Sequence, residues 1–239
     1  GATLSTTIDK YCYISCRYLP PFFEHKHRIV YSLSEEVNEI DEIMHPAARE
    51  AFRFMNVERG VEVHHDGDLP ARSGLGSSSS FTVGLVHALH ALNGRMISKK
   101  DLASEVIHIE QNIIGENVGS QDQVSAAFGG FNKIEFSKNK IQVSPVKIKQ
   151  KTLKELDENL MLFFIGSRTN SAILTNQIND IENGKPSVLN SLDKVKDLAF
   201  KLYDNIKKSD LTGFGEILNE NWKFKKKFSK NVSNNRIDK

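Results

Sequence analysis

Six consecutive residues, Gly74, Leu75, Gly76, Ser77, Ser78 and Ser79, carry little side-chain bulk. They run directly into an apolar series at helical spacing: Phe81, Val83, Leu85, Val86, Leu89 and Leu92. Upstream, Val61, Val63 and His65 alternate with Glu62 and His64 as in a strand. The order strand, tight loop, helix aims a helix N-terminus, with its unpaired N–H groups, at whatever enters the loop. Phosphates suit that place. The loop is not a Walker A motif, because no Lys lies between Asp68 and Lys99. Nor is it a dinucleotide fingerprint, because Gly74 and Gly76 lead to Ser79 and not to a third glycine. The plainer reading is a serine run that only caps a core helix.

Two carboxylates bear on that choice. Phosphoryl transfer needs a cradle for the donor phosphates, a ligand for the cation, a group that handles the acceptor hydroxyl, and an acceptor pocket. Serine hydroxyls at the helix start and the carboxylate of Glu110 are oxygen ligands of the kind Mg²⁺ prefers. Asp122 follows Gly119 and Ser120 and is a candidate base for a hydroxyl. Taken singly, an Asp before a short helix is an N-cap and a Glu near a helix end is solvated. The combination favours chemistry over both.

The elements that must position these groups follow from periodicity. Residues 2–17 read as one or two strands and residues 28–33 as another, with a polar, acidic segment at 35–42. A helix is expected over 45–55, with Pro46 in its first turn. A second helix follows the glycine–serine loop and closes at Asn93-Gly94. Ser98 is the expected cap of a third, which runs to Ile113 or Ile114 with Leu102, Val106, Ile109 and Ile113 as its apolar face. A short helix over 124–128 then leads through Gly129-Gly130 into a hairpin over 131–146. Residues 147–159 look like an exposed charged connection, and residues 160–165 like a fully buried strand. Helices are expected over 168–181, 187–207 and 210–228. The resulting division is a first domain over 1–150 and a second over 151–239.

Bulk properties exclude several classes. A net charge of +2 over 239 residues argues against a dedicated nucleic-acid binder. No apolar run is long enough to span a bilayer. Cys12 and Cys16, the two cysteines, lie four apart in a strand pattern, too far apart to bridge, and read as reduced thiols of a cytoplasmic protein.

The stretch DLPARSGLGSSSSF from Asp68 resembles the second motif of the GHMP kinases, the galactokinase, homoserine kinase, mevalonate kinase and phosphomevalonate kinase superfamily. The segments LSTTIDKYCYI, DEIMHPAAREA, IEQNIIGENVGSQDQVSAAFGGFN and WKFKKKFSKNVSN are similar to its bacterial heptose 7-phosphate kinase branch. The resemblance implies an α+β fold. Its N-terminal domain would be like domain 2 of ribosomal protein S5, and its C-terminal domain ferredoxin-like and here incomplete. It implies ATP and Mg²⁺. The backbone of Gly74 to Ser79 would hold phosphates, and Ser78 (with Ser77 as competitor) and Glu110 would ligate the cation. Asp122 would act on the anomeric hydroxyl of a sugar phosphate. Arg17 and Arg168 are the cations to watch for the acceptor's own phosphate. The family's first and third glycine-rich motifs would fall before Gly1 and after Lys239. Kinases of other sugars, fucose or galactose, and a catalytically silent sugar-binding homologue are the alternatives.

Overall fold

In the computed structural model the chain describes residues 1–71, 73–138, 140–166, 181, 183–227, 233 and 237–238. It is an α+β protein of two compact units, residues 8–129 and residues 1–7 with 130–239. The division therefore falls at Gly129/Gly130 and not near residue 150. The first strand explains why: β1 (Ala2–Thr6) pairs antiparallel with β6 (Phe131–Ser137), which binds the N-terminal residues to the later half of the chain.

The unit of residues 8–129 is built on a four-stranded sheet, β2 (Cys12–Tyr18), β5 (Val61–Gly67), β3 (His27–Val30) and β4 (Ser34–Val37), in that order across the sheet. β4 runs into the stretch 35–42, expected to be a polar, acidic segment. The β3–β5 pair is parallel and the others antiparallel. On one face lie α1 (Pro46–Phe54), α2 (Ser77–Leu92) and α3 (Lys99–His108), around a core that includes Ile29, Phe52, Val61, Val63, Leu85, Val86 and Leu89. Full burial of such side chains stabilises by about 1.5–3 kcal/mol each. Pro46 opens α1 and the Ser98 hydroxyl caps α3, as the sequence predicts. α2 packs tightly on β2: a Cβ at Gly84 would lie 2.8 Å from Ile14 Cγ1, so only glycine allows this approach. Cys12 and Cys16 are free and half-buried, and burial pushes the Cys16 thiol up to about 11.

The opposite face of this sheet carries charge in register. Arg17, Glu62, Arg28 and Glu36 are directly paired across all four strands. Glu62 is only 3% exposed, beneath Arg17, Arg28 and His64. Burial alone would raise its pKa; hydrogen bonds from His64 and Arg17 and their charges outweigh that and hold the carboxyl below its ordinary value.

The second unit holds β1, β6 and β7 (Lys140–Pro145), with α5 (Gln150–Glu158), α6 (Pro186–Lys207) and α7 (Leu211–Lys225). Leu156, Leu198, Leu202, Ile206, Phe214 and Ile217 form its core, against Leu4, Phe131 and Val146. Two expectations fail here. The charged connection contains α5, because Leu156 gives it one apolar contact point. Residues 160–165 form no strand and are exposed, Phe163 at 72%. An apolar run predicts burial only where a neighbouring strand accepts its backbone, and none of the described strands does. The expected helix over 168–181 lies, apart from Ile181, outside the described residues.

His27 lies fully buried against Phe52, and its Nδ1 accepts from the Val61 N–H. Burial, reinforced by Lys26, lowers its pKa from 6.5 to about 4. Between those values the unfolded chain binds a proton that the folded chain refuses. The associated stability is present above pH 6.5 and is lost as pH falls toward 4, by roughly 2–3 kcal/mol. A urea midpoint measured at pH 7 and pH 4.5 should drop, and His27→Asn should shrink the drop even if it lowers stability at both.

Candidate active site

α2 begins at Ser77 with Gly76 as its N-cap, in the left-handed conformation (φ 72°) and without a side-chain cap. The first helical bond of α2 runs from the Ser80 N–H to the Gly76 carbonyl at 2.9 Å. The N–H groups of Ser77, Ser78 and Ser79 precede it and have no intrahelical acceptor. The serine run therefore does not cap its own helix. It leaves an uncapped positive end, which is the arrangement that favours an anion.

Asp122 stands directly at this end. A Cβ at Gly76 would lie 3.2 Å from Asp122 Cβ and Cγ and 3.3 Å from Oδ2, so the carboxyl packs on the glycine of the loop. The sequence suggests a loop position ahead of a helix over 124–128. In fact α4 (Gln121–Phe128) starts earlier and Asp122 lies in its first turn, where the helix dipole favours a carboxylate. Ser120, not Asp122, is the N-cap. The loop before α4 is held by Gln111, whose Nε2 donates to the Val118 carbonyl at 2.9 Å and to Ser120 Oγ at 3.2 Å.

Glu110 is the largest departure from expectation. Helical spacing puts it off the apolar face of α3, yet it is 1% exposed. After His108 the helix widens into a π-turn, Ile109–Ile113, with the Ile114 N–H bonded to the Ile109 carbonyl at 2.9 Å. The inserted residue rotates everything after Ile109. Glu110 turns inward, and Ile113, expected in the core, is 39% exposed. Such turns recur at functional sites. The Ser79 hydroxyl donates to Glu110 Oε2 at 2.9 Å, and Gln123 Nε2 donates to the same oxygen at 2.5 Å. Glu110 Oε1 is buried with no hydrogen-bond partner among the described residues. A buried carboxylate oxygen left open, with the Ser79 hydroxyl on its neighbour, is an oxygen donor of the kind that fits a hard divalent cation such as Mg²⁺. Glu116, whose N–H bonds the Glu110 carbonyl, is raised above its ordinary pKa by burial and by the Glu110 charge.

Sequence reasoning placed Gly74 to Ser79, Glu110 and Asp122 together, and the structure brings Gly76, Ser79, Glu110 and Asp122 into one cluster. Ser78, expected as the cation ligand, is exposed on the first turn, and the hydroxyl that reaches Glu110 is that of Ser79. Arg17 is not part of the cluster: it pairs with Glu62 on the sheet face away from α2. Arg168 lies outside the described residues. Gln123 was missed, although its place one residue after Asp122 made it legible. A ring stack was missed as well: Tyr31 on His45 at 4.8 Å, His45 on Phe81 at 4.6 Å and Phe81 on His65 at 5.4 Å. It pins the first turn of α2 to β5 and α1, and burial lowers both histidines, so they stay neutral at pH 7.

An uncapped helix start faces two carboxylates, one exposed and one buried, on an α+β frame. Residues 41–130 match the family model described as the GHMP kinases N terminal domain. The chain is 32% identical over 193 residues to the D-glycero-alpha-D-manno-heptose 7-phosphate kinase of Campylobacter jejuni, covering 78% of this chain and 55% of that kinase. The chain thus spans about half the length of that relative. A solved D-glycero-D-manno-heptose 1-phosphate kinase from Bacteroides thetaiotaomicron superposes with a TM-score of 0.75 at 25% identity, over 95% of this chain and 71% of that one. Galactokinase of Lactococcus lactis shares the fold, with a TM-score of 0.67 at 18% identity over 100% of this chain and 72% of that one.

Gly76→Ala tests the loop geometry. The added methyl forces a positive φ on alanine, at about 1–2 kcal/mol, and presses on Asp122. Chemical denaturation should show a loss of that order, and calorimetry a weaker affinity for ADP. Unchanged values in both would reject the tight loop–Asp122 contact.

Proposed function

We propose that the chain belongs to an ATP-dependent sugar kinase that phosphorylates the anomeric hydroxyl of a heptose phosphate, D-glycero-D-manno-heptose 7-phosphate, to give the 1,7-bisphosphate. The observation that carries the reading is the packing of Asp122 on Gly76, which puts a carboxylate beside an uncapped helix start. Backbone N–H groups of residues 74–79 hold the donor phosphates. Ser78 and Glu110 would hold Mg²⁺, with the Ser79 hydroxyl orienting Glu110. Bound there, the cation would neutralise charge on the β- and γ-phosphates.

Asp122 accepts a hydrogen bond from the acceptor hydroxyl and takes its proton as the oxygen–phosphorus bond forms. The bond from the γ-phosphorus to the bridging oxygen breaks and ADP leaves. Asp122 thus supplies acceptor activation, and the loop supplies positioning. The similarity to the Campylobacter enzyme supports a heptose phosphate as acceptor. A cytoplasmic setting, where ATP and reduced thiols coexist, fits the free Cys12 and Cys16.

Asp122→Asn should lower phosphoryl transfer about a hundredfold or more while ADP affinity stays within about threefold, since the base acts on the acceptor and not the donor. Equal turnover by the variant and the parent would remove Asp122 from the mechanism. The acceptor is fixed by a panel of heptose 7-phosphate, heptose 1-phosphate, sedoheptulose 7-phosphate, fucose and galactose, with ADP release as readout. The relatives differ in the sugar phosphate they are named for, so both heptose phosphates belong in it. The expected order puts heptose 7-phosphate first. A preference for free fucose or galactose would overturn the heptose assignment and keep the kinase.

A further inference from the structure

Four observations meet at Glu110 and are not used up by ligand binding. The π-turn Ile109–Ile113 is what turns its carboxylate into the protein. Both neighbouring donors, Ser79 Oγ and Gln123 Nε2, go to the same oxygen, Oε2. The other oxygen, Oε1, is buried and open. The Gln123 side chain is fully buried, and its own carbonyl Oε1 is also without a partner among the described residues.

A carboxylate that ligates a cation through one oxygen must not rotate, because rotation about its last bond exchanges the two oxygens. Two donors on Oε2 stop that rotation and polarise the group, and they leave Oε1 as the free acceptor. They come from two different helices, α2 and α4. Glu110 is therefore fixed against the loop that carries the phosphate-facing N–H groups and against the helix that carries Asp122. The amide orientation follows from the chemistry: an ionised carboxylate only accepts, so it is the Gln123 NH₂ that must face it.

We propose that Gln123 is a positioning residue for the cation: it clamps Glu110 Oε2 so that Oε1 is held out as the metal-facing oxygen, with the Ser79 hydroxyl as the second clamp. The proposal rests on the Mg–ATP reading above. It adds a residue that acts through Glu110 and touches neither nucleotide nor sugar. Gln123 donates one bond that no apolar side chain of its length replaces. Its loss leaves a buried carboxylate with one donor fewer and two freely exchanging oxygens.

The test is a titration with MnCl₂ in the presence of ADP, followed by the electron paramagnetic resonance of free Mn²⁺, on the parent, Gln123→Met and Ser79→Ala. Methionine keeps the length and volume of Gln123 and removes the donor; near-UV circular dichroism checks that the core is kept. Gln123→Met is expected to weaken Mn²⁺ binding about tenfold or more. The Mg²⁺ concentration giving half-maximal rate should rise in parallel, with the KM for the sugar within about twofold. Ser79→Ala should shift Mn²⁺ binding in the same direction, and it carries the test if Gln123→Met does not fold. Parent-like Mn²⁺ affinity in the folded variants overturns the clamp while leaving the kinase reading intact. A parent that binds ADP but takes up no Mn²⁺ overturns the cation site itself and the clamp with it.

Discussion

One buried carboxylate ties this site together. Burying an ionised Glu is costly unless its oxygens are satisfied. Here Glu110 on the π-turn after α3 is met by Ser79 from α2 and Gln123 from α4. Three helices are thereby fixed to one another through a single oxygen atom, Oε2. Each of them carries a different part of the site: α2 the open N–H groups, α4 Asp122, and the π-turn Glu110 itself. Among the described residues, protein donors reach only one oxygen of the carboxylate. The fold therefore holds one carboxylate oxygen buried without a hydrogen-bond partner among the described residues.

The rest of the residue 8–129 unit makes that arrangement rigid. Gly84 lets α2 lie close on β2, and the ring stack of Tyr31, His45, Phe81 and His65 anchors the first turn of α2, where the loop ends. Glu35 does similar work next door: it accepts from Tyr31 Oη and from the N–H groups of Met44 and His45, and so fixes the entry to α1. The charge row Arg17, Glu62, Arg28 and Glu36 uses the other face of the same sheet. On that face Arg17 pairs with Glu62, away from the cluster of Gly76, Ser79, Glu110 and Asp122.

Much of the site was legible because its chemistry is local. Gly74 to Ser80 announce a loop that enters a helix, Ser98 announces a cap, and Asp122 and Gln123 follow a glycine and a serine at a helix start. The failures share one cause. Glu110 was placed on the solvent side because spacing assumes 3.6 residues per turn, and one inserted residue in the π-turn breaks that assumption. Residues 160–165 were placed in a buried strand because their composition is apolar. Composition does not say whether a neighbouring strand exists to receive them.

The sequence by itself determined which residue types were available and in what order: a small-residue loop, a serine run, one Glu and one Asp within fifty residues of each other, and the helices and strands that carry them. These follow from short-range sterics and hydrophobic periodicity, which act within a few residues. Only the tertiary structure decided which serine meets Glu110, that Gln123 clamps it, that Arg17 faces away, and that Asp122 rests on Gly76. Those outcomes depend on how α2, the π-turn and α4 pack, and on the direction a widened turn gives one carboxylate. Packing is decided between elements far apart in the chain, where no local pattern records it.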